Sequence, residues 1–375
     1  MTVIALSGYY GFHNAGDEAI LEALITALRR CQPDVELVVF SADPDHTRKA
    51  YHVEAVSRVC LSSIISTLRR ADLLISGGGG LLQDVTGPRS IPYYLGMMEL
   101  AMFMGTRVAI FAQGVGPLRS RWSRLWVKKV LSRVDFISVR DAASAHFLNE
   151  LGVMKAIEIT ADPVFSLKPA SGKDIASFWE AGGLKKSPGE LLVGIALRPY
   201  PGEKVFDEKI LAVIANGCHY LRKEFGAKLI YLPFHWKKDL PLARVLASRD
   251  LSRGVVFEGN LSPENILKLM GGLDLLIGMR LHALIFAAIC GVPFIALPYD
   301  PKVNAFLENI GEKPTFSLED LTFQKLLANL KDVLSRGEEY RENLQLKIKE
   351  QGEKVDGTVA RLLSLANQQR GENLK

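Results

Sequence analysis

Short apolar runs recur along the chain, each closed by glycine or a polar loop and followed by a stretch with helical spacing. Val3–Leu6 reads as a strand, Gly8-Tyr9-Tyr10-Gly11 opens a loop, and Ala19–Leu28 reads as a helix. Asp17 and Glu18 stand at that helix's start, where acidic groups meet the positive end of the helix dipole. Further strands are expected at Glu36–Phe40, Leu73–Ser76, Arg107–Ala112 and Phe136–Val139. The last three end in Gly77–Gly80, in Gln113–Pro117 and in Arg140-Asp141. Past Asp162-Pro163 the pattern breaks. Residues 166–189 are rich in Lys, Ser, Gly and Pro, with one helical patch near Ile175–Glu180. A second series of strands follows at Leu191–Leu197, Lys228–Leu232, Val255–Phe257, Leu273–Ile277 and Pro293–Leu297, and the chain from Glu319 onward is helical and charged. Such alternation builds parallel sheets covered by helices on both faces. The fold class is therefore α/β, with two Rossmann-like domains expected at 1–165 and 190–340, a linker at 166–189 and a helical tail at 341–375.

Composition narrows the class without changing it. The chain has 375 residues, room for two ordinary domains, and its 48% hydrophobic and 23% charged residues are those of a globular protein. A net charge of +5 (46 basic against 41 acidic) is too mild to point to nucleic acid. Cys31, Cys60, Cys218 and Cys290 are far apart and form no metal-ligand spacing, so reduced thiols and no zinc site are expected. The first residues enter a strand with no basic leader, and no apolar run approaches the ~20 residues of a membrane span. A cytoplasmic protein is expected, with peripheral contact at the inner membrane face left open by the basic segment described below.

Ligands of open parallel sheets bind beyond the carboxyl ends of the strands, and the distinctive residues lie there. The loop from Gly8 to Glu18 holds Tyr9, Tyr10, His13, Asn14 and Asp17 among three glycines, a set suited to stacking on sugar faces and bonding to hydroxyls. Asp17 has a plainer role open to it, as a helix cap. Gly77–Gly80 leads into Leu81-Leu82-Gln83-Asp84; its glycines let a backbone approach a ligand, or serve packing alone. Neither this run nor Gly114-Val115-Gly116 completes a dinucleotide fingerprint, and no phosphate-loop Gly-Lys-Ser/Thr occurs.

Two further places collect cations. Gly278-Met279-Arg280-Leu281-His282-Ala283 runs from a strand end into an apolar helix. A guanidinium, an imidazole and helix N–H groups there suit an anion with several oxygens. Lys302 follows the next strand and Arg140 the fifth strand of the first series; a surface pair with Asp141 is the alternative for Arg140. The stretch from Leu118 to Lys129 contains no acidic residue and carries Arg119, Arg121, Trp122, Arg124 and Trp126. Its basic and aromatic residues fit an anionic membrane surface or a lipid diphosphate, or else a solvated face with inward tryptophans.

Taken in order, Gly-Tyr-Tyr-Gly with Asn14, Gly16, Asp17 and Glu18, then Gly-Gly-Gly-Gly-Leu-Leu-Gln-Asp, Gln-Gly-Val-Gly-Pro, Ser-Val-Arg-Asp and Gly-Met-Arg-Leu-His-Ala resemble the polysaccharide pyruvyl transferase family. The resemblance runs from Gly8 to Lys302 and is greatest to the bacterial cell-wall branch, the CsaB type. It implies a glycosyltransferase-B-like architecture with phosphoenolpyruvate as the donor and no cofactor or metal. It implies a lipid-diphosphate-linked acceptor containing N-acetylmannosamine, and a 4,6-linked pyruvate ketal that surface-layer anchoring domains recognise. Carried over by motif, Arg140, Arg280, His282 and Lys302 contact phosphoenolpyruvate. Tyr9, His13, Asn14, Asp17, Gly78, Gly79, Gln83 and Asp84 lie on the acceptor side, and Arg119, Arg121, Trp122 and Arg124 meet lipid or diphosphate.

The chemistry suits these residues. A donor with a carboxylate and a phosphate needs several cations at once. His282 is expected to move a proton, its unperturbed pKa lying near neutrality; the alternative is that it binds phosphate and Asp17 is the base. Two rival functions use the same scaffold: a nucleotide-sugar glycosyltransferase, and a non-catalytic membrane-associated sugar-binding protein. No nucleic-acid partner is expected, and no feature sets an oligomeric state.

Overall fold

The computed structural model describes residues 1–84, 90–184, 186–187, 189–199, 208–249, 254–259, 261–312 and 317–373. The chain forms two compact units, residues 1–167 together with 350–375, and residues 168–349.

The first unit is built on a seven-stranded, all-parallel sheet. Its strands are β1 (Val3–Ser7), β2 (Glu36–Ser41), β3 (Glu54–Ser57), β4 (Leu73–Gly77), β5 (Arg107–Gln113), β6 (Phe136–Val139) and β7 (Glu158–Ile159), in the spatial order β3-β2-β1-β4-β5-β6-β7. β1 pairs in register with β2 through Ala5 and Val38 and with β4 through Ala5 and Leu74. The central strands are buried almost throughout, as expected where helices cover both faces. Helix Ala15–Cys31 shows why the flanking segments are helical. Ala19, Ile20, Ala23, Leu24, Ala27 and Leu28 fall at helical spacing and are buried, acidic residues fill its first turn, and Arg29 and Arg30 its last.

The second unit carries five parallel strands: β8 (Leu192–Ala196), β9 (Lys228–Tyr231), β10 (Val255–Val256), β11 (Leu275–Gly278) and β12 (Phe294–Ala296), in the order β10-β9-β8-β11-β12. Each sheet reverses its winding direction once. In the first the switch lies between β1 and β4, in the second between β8 and β11. These are the places where an open α/β sheet leaves a crevice for ligand.

Three features differ from the sequence expectation. β3 and β7 are short outer strands, of four and two residues, with too few alternating positions to stand out. The stretch 168–184 is not a free linker. Helix Gly172–Ala181 packs on helix Pro263–Gly271, where Trp179 donates from Nε1 to the Lys268 carbonyl at 3.1 Å, because Gly271 and Gly272 leave room for Ile175 and the indole. The tail is not separate either. From Glu350 it belongs to the first unit, where Arg30 pairs with Asp356, Arg361 with Glu158, and Thr2 Oγ1 donates to Asn367 at 2.7 Å. Among the described residues no helix is long and apolar enough to cross a membrane.

Candidate functional site

In the first unit the loops after β1 and β4 meet at the switch point. A buried carboxylate shapes the first of them. Glu18 accepts from the Gly11 amide at 2.9 Å and from the Tyr51 hydroxyl at 2.8 Å, which pins the loop to the helix that follows it. Tyr10 turns inward and donates to the Gly77 carbonyl at 3.1 Å, tying this loop to the one after β4. Tyr9 stays at the surface, stacked on Phe12 with 4.0 Å between ring centroids. The cap of helix Ala15–Cys31 is Asn14, whose side chain accepts from the Gly16 amide at 3.2 Å; Asp17 sits in the first turn instead.

Gly78 and Gly79 have φ of +66° and +73°, the left-handed region that favours glycine. A Cβ on Gly78 would lie 2.0 Å from Ile20 Cγ2, and one on Gly79 3.1 Å from Asp17 Oδ1. The glycines thus let the β4 loop close onto the helix start and set Asp17 beside it. Burial raises the pKa of Tyr9 and of Tyr10, and the nearby Asp17 carboxylate raises both further. Tyr9, Asn14, Asp17, Gly78 and Gly79 therefore share one place.

The other first-unit candidates are held differently. His13 turns towards Asp43, 3.6 Å away, and His46. Gln83 donates back to the Gly80 carbonyl at 3.0 Å. Both Asp84 oxygens accept backbone amides, of Arg119 at 2.8 Å and Ser120 at 2.9 Å. Partial desolvation raises its pKa, but these bonds and the Ser123 hydroxyl outweigh that and lower it. Asp84 thus anchors the start of the basic helix Arg121–Leu131. Arg140 is not a surface residue: it is 9% exposed, 2.9 Å from Asp162 and 3.8 Å from Asp141. Its guanidinium lies under Gly114, whose amide donates to the Gly79 carbonyl at 2.8 Å.

The basic helix divides its tryptophans. Trp126 turns in and donates to Glu99 at 3.2 Å, whereas Trp122 is 83% and Leu125 63% exposed. Arg121 and Arg119 are exposed, and Arg124, also exposed, donates to the Leu118 carbonyl at 2.9 Å.

In the second unit the cations gather beyond β8, β9, β11 and β12. Arg280 ends the loop after β11 and forks onto Asp239: Nε donates to Oδ2 at 2.9 Å and Nη2 pairs with Oδ1. Asp239 is fully buried and also accepts the His235 amide at 2.8 Å. Helix Leu281–Ile289 starts on Arg280 with no side-chain cap, so its first amides have no capping oxygen from that residue. His282 lies in that turn, half-buried, with Nε2 out of solvent. Lys302 stands in the first turn of helix Pro301–Asn309, which Asp300 caps; its Nζ lies 3.2 Å from Asp300 and 5.9 Å from the Tyr299 ring centre.

Three second-unit residues were not read from the sequence. Arg198, just past β8, donates to the Tyr299 hydroxyl at 2.9 Å and stacks on its ring. His235 and Asp239 lie beyond β9. Desolvation lowers the pKa of His235, and the charges of Lys238 and Arg280 lower it further, so its neutral form is favoured. The strand-end rule that found Arg280 points equally to Arg198 and His235; neither stands in a conspicuous motif. Among the described residues no three His, Cys, Asp or Glu side chains gather as metal ligands.

The arrangement is thus aromatic rings, glycine backbone and one carboxylate in the first unit, and cations with an uncapped helix start in the second. Arg140 belongs to the first unit, and Arg280, His282 and Lys302 to the second.

Comparison with known proteins bears on the family and the fold. Residues 14–301 match the family model described as polysaccharide pyruvyl transferase. The amylovoran biosynthesis protein AmsJ of Erwinia amylovora is 22% identical, over 95% of this chain and 98% of its own. Among solved structures, Anabaena HepE in complex with UDP-glucose is 14% identical with a TM-score of 0.62, covering 97% of this chain and 99% of that one. A UDP-GlcNAc 2-epimerase from Neisseria meningitidis is 13% identical with a TM-score of 0.63 and the same coverage. A glycosyltransferase from Rickettsia africae is 11% identical with a TM-score of 0.63, covering 98% of each chain. These structural likenesses show a glycosyltransferase-B-like fold and nothing finer.

Proposed function

The chain belongs to the polysaccharide pyruvyl transferase family, and from that premise we propose that it moves pyruvate from phosphoenolpyruvate to a glycan precursor. The second unit takes the donor and the first unit the acceptor. One observation carries the donor assignment: an uncapped helix start bearing His282, with the Arg280 guanidinium fixed beside it by a fully buried carboxylate. Helix amides, a guanidinium and an imidazole are the groups a phosphate and a carboxylate call for. Lys302, paired with Asp300, adds a cation at the next strand end.

The proposed reaction has two steps. A proton goes to C3 of phosphoenolpyruvate and makes C2 electrophilic; a sugar hydroxyl adds to C2 and gives up its own proton. A second hydroxyl of the same sugar then bonds to C2 as the bond from C2 to the phosphate oxygen breaks; its proton goes to the departing phosphate, and inorganic phosphate leaves with the 4,6-ketal formed. His282 transfers protons on the donor side. Asp17, beside Tyr9 and the Gly78-Gly79 backbone, takes the proton from the attacking hydroxyl. The acceptor is a lipid-diphosphate-linked glycan containing N-acetylmannosamine, and AmsJ's role in amylovoran biosynthesis supports a polysaccharide destination. Exposed Trp122 and Leu125, flanked by Arg119, Arg121 and Arg124, would rest on an anionic membrane surface at the cytoplasmic face.

The test is a mass measurement. The protein is incubated with phosphoenolpyruvate and a synthetic N-acetylmannosamine-containing acceptor, and the product is weighed. A pyruvate adduct with release of phosphate is expected. Transfer of a sugar from a uridine or cytidine nucleotide, with no pyruvate adduct, would replace this reading by the glycosyltransferase one.

A further inference from the structure

Arg58 follows β3 and reaches back over the sheet to the loop after β1, where Nη1 donates to the Gly8 carbonyl at a long 3.4 Å. Its guanidinium lies 4.0 Å from the ring centre of Tyr93, 4.9 Å from Phe12 and 5.8 Å from Tyr94. Phe12 is the ring stacked on Tyr9, so the cation adjoins the aromatic platform of the switch point.

Other arginines around this sheet edge find oxygen partners. Arg29 donates to the Tyr51 and His52 carbonyls, Arg48 to the Ala55 carbonyl and Asp45, and Arg70 to Glu36 and Glu54. Arg58 has five N–H donors; it makes one long bond to a carbonyl, adjoins the Tyr93 and Tyr94 hydroxyls and, among the described residues, has no carboxylate within ion-pair distance. Aromatic faces hold it without neutralising it. A second observation concerns the hydroxyls beside the arginine. Those of Ser7, Tyr93 and Tyr94 are shut off from solvent; Tyr93 meets only Ser7 and Arg58, and Tyr94 only Arg58, none at full hydrogen-bond geometry. Buried hydroxyls ordinarily have well-formed partners, and leaving such a bond incomplete is unfavourable. Burial raises the pKa of Tyr93 and Tyr94 while the Arg58 charge opposes the rise, which places all three groups within one field.

We propose that Arg58, with Tyr93, Tyr94 and the Tyr9–Phe12 platform, binds an anionic group of the acceptor glycan, a phosphate or carboxylate oxygen carried next to the sugar that stacks on the platform. The proposal rests on the first unit being the acceptor side. It adds a charge requirement to that side, set by a residue outside the loop after β1. A planar guanidinium stacked on rings is preorganised to meet a planar or tetrahedral oxyanion, and a lysine in its place is not.

The experiment measures binding of glycans to the full chain by calorimetry without phosphoenolpyruvate. Three synthetic disaccharides containing N-acetylmannosamine are compared: one with a neutral aglycone, one with a diphosphate, and one with a carboxylate on the neighbouring sugar. The wild type is expected to bind one anionic form at least about tenfold more tightly than the neutral form, the scale of one charge-assisted hydrogen bond. Arg58→Gln should erase that preference while leaving the neutral form's affinity unchanged, and Arg58→Lys should restore only part of it. Preference for the diphosphate form identifies the linker phosphate as the source, and preference for the carboxylate form an acidic sugar. Equal affinity of the wild type for all three, or a preference that survives in Arg58→Gln, overturns the proposal. A preference that vanishes with Arg58 in a protein that makes no pyruvate adduct would leave this site standing and sink the donor assignment alone.

Discussion

Arg58 in the first unit lies against the rings of Phe12, Tyr93 and Tyr94, whereas Arg280 in the second is forked onto the buried Asp239. The difference bears on what each unit can do. A guanidinium locked to a carboxylate is rigid and partly neutralised; it sets geometry for its neighbours, here His282 and an open helix start. A guanidinium held by ring faces keeps its charge and its donors for a ligand. Arg140 shows that the first unit uses the carboxylate device as well, pairing with Asp162 beneath Gly114. Each unit thus has an arginine one or two residues past a strand, fixed by a buried aspartate. The first unit gathers several rings and hydroxyls around its cation, where the second has Arg198 on the Tyr299 ring.

The comparison predicts that donor-side proton transfer belongs to the second unit. Replacing His282 with Ala should lower turnover by roughly 10²–10⁴-fold, the range for a general acid–base group. Steady-state rates on folded protein check this. Near-normal turnover in that variant, with a collapse in Asp17→Asn, would move the whole proton chemistry to the first unit.

The next largest effect is on stability. Asp239→Asn strips Arg280 of its counter-charge in a partly buried place and should cost about 3–5 kcal/mol, whereas Arg58→Gln should cost no more than about 1 kcal/mol, the scale of an exposed cation–π contact. Denaturant unfolding of the two variants measures both. Equal losses would mean that Arg58 is a structural clamp like Arg280.

A smaller effect is expected at the basic helix. Replacing Arg121 and Arg124 together with Ala should weaken use of a lipid-linked acceptor, most at low salt, where surface charges are least screened. It should spare a soluble acceptor without diphosphate. Equal loss on both acceptors would leave the exposed Trp122 and Leu125 without a membrane role.

The smallest effect is local to the cysteines. Hydrogen bonds from Ser62 and Ser63 lower the pKa of the exposed Cys60, two residues past Arg58, to about 7, whereas burial pushes Cys290, at the end of the His282 helix, up to about 12. Since the thiolate is the reactive form, alkylation of Cys60 should rise as pH passes through 7, while Cys290 stays unlabelled in the folded protein. Peptide mass mapping reads both, and comparable labelling at neutral pH would show that burial does not protect Cys290 in the folded protein.

Much of this was legible in the sequence because parallel sheets place ligands at strand ends, and long apolar strands announce those ends. β1, β4, β5, β6, β8 and β11 were readable, and with them the loop at Gly8, Gly78-Gly79, Arg140 and Arg280-Leu281-His282. Arg58 was not, because β3 is only four residues long at the sheet edge, and a cation after an unrecognised strand looks like any surface arginine. Asp239 was hidden for another reason. Its role depends on a fork reaching 41 residues along the chain to Arg280, and no spacing rule reports such a contact. Asp84 and Gln83 show the converse. They stand in a conspicuous motif, yet their polar atoms serve the backbone of Arg119, Ser120 and Gly80. The tail's return to the first unit was also invisible, since its helical pattern continues unbroken through Glu350.

The division of labour rests most directly on where the donor binds. Calorimetric titration of phosphoenolpyruvate into the wild type, Lys302→Ala and Asp17→Asn tests it. The account predicts that affinity falls about tenfold or more in Lys302→Ala, the scale of a lost charge-assisted contact, and stays near the wild-type value in Asp17→Asn. Unchanged affinity in Lys302→Ala, or no binding of phosphoenolpyruvate to a wild type that binds a uridine nucleotide sugar, would contradict it.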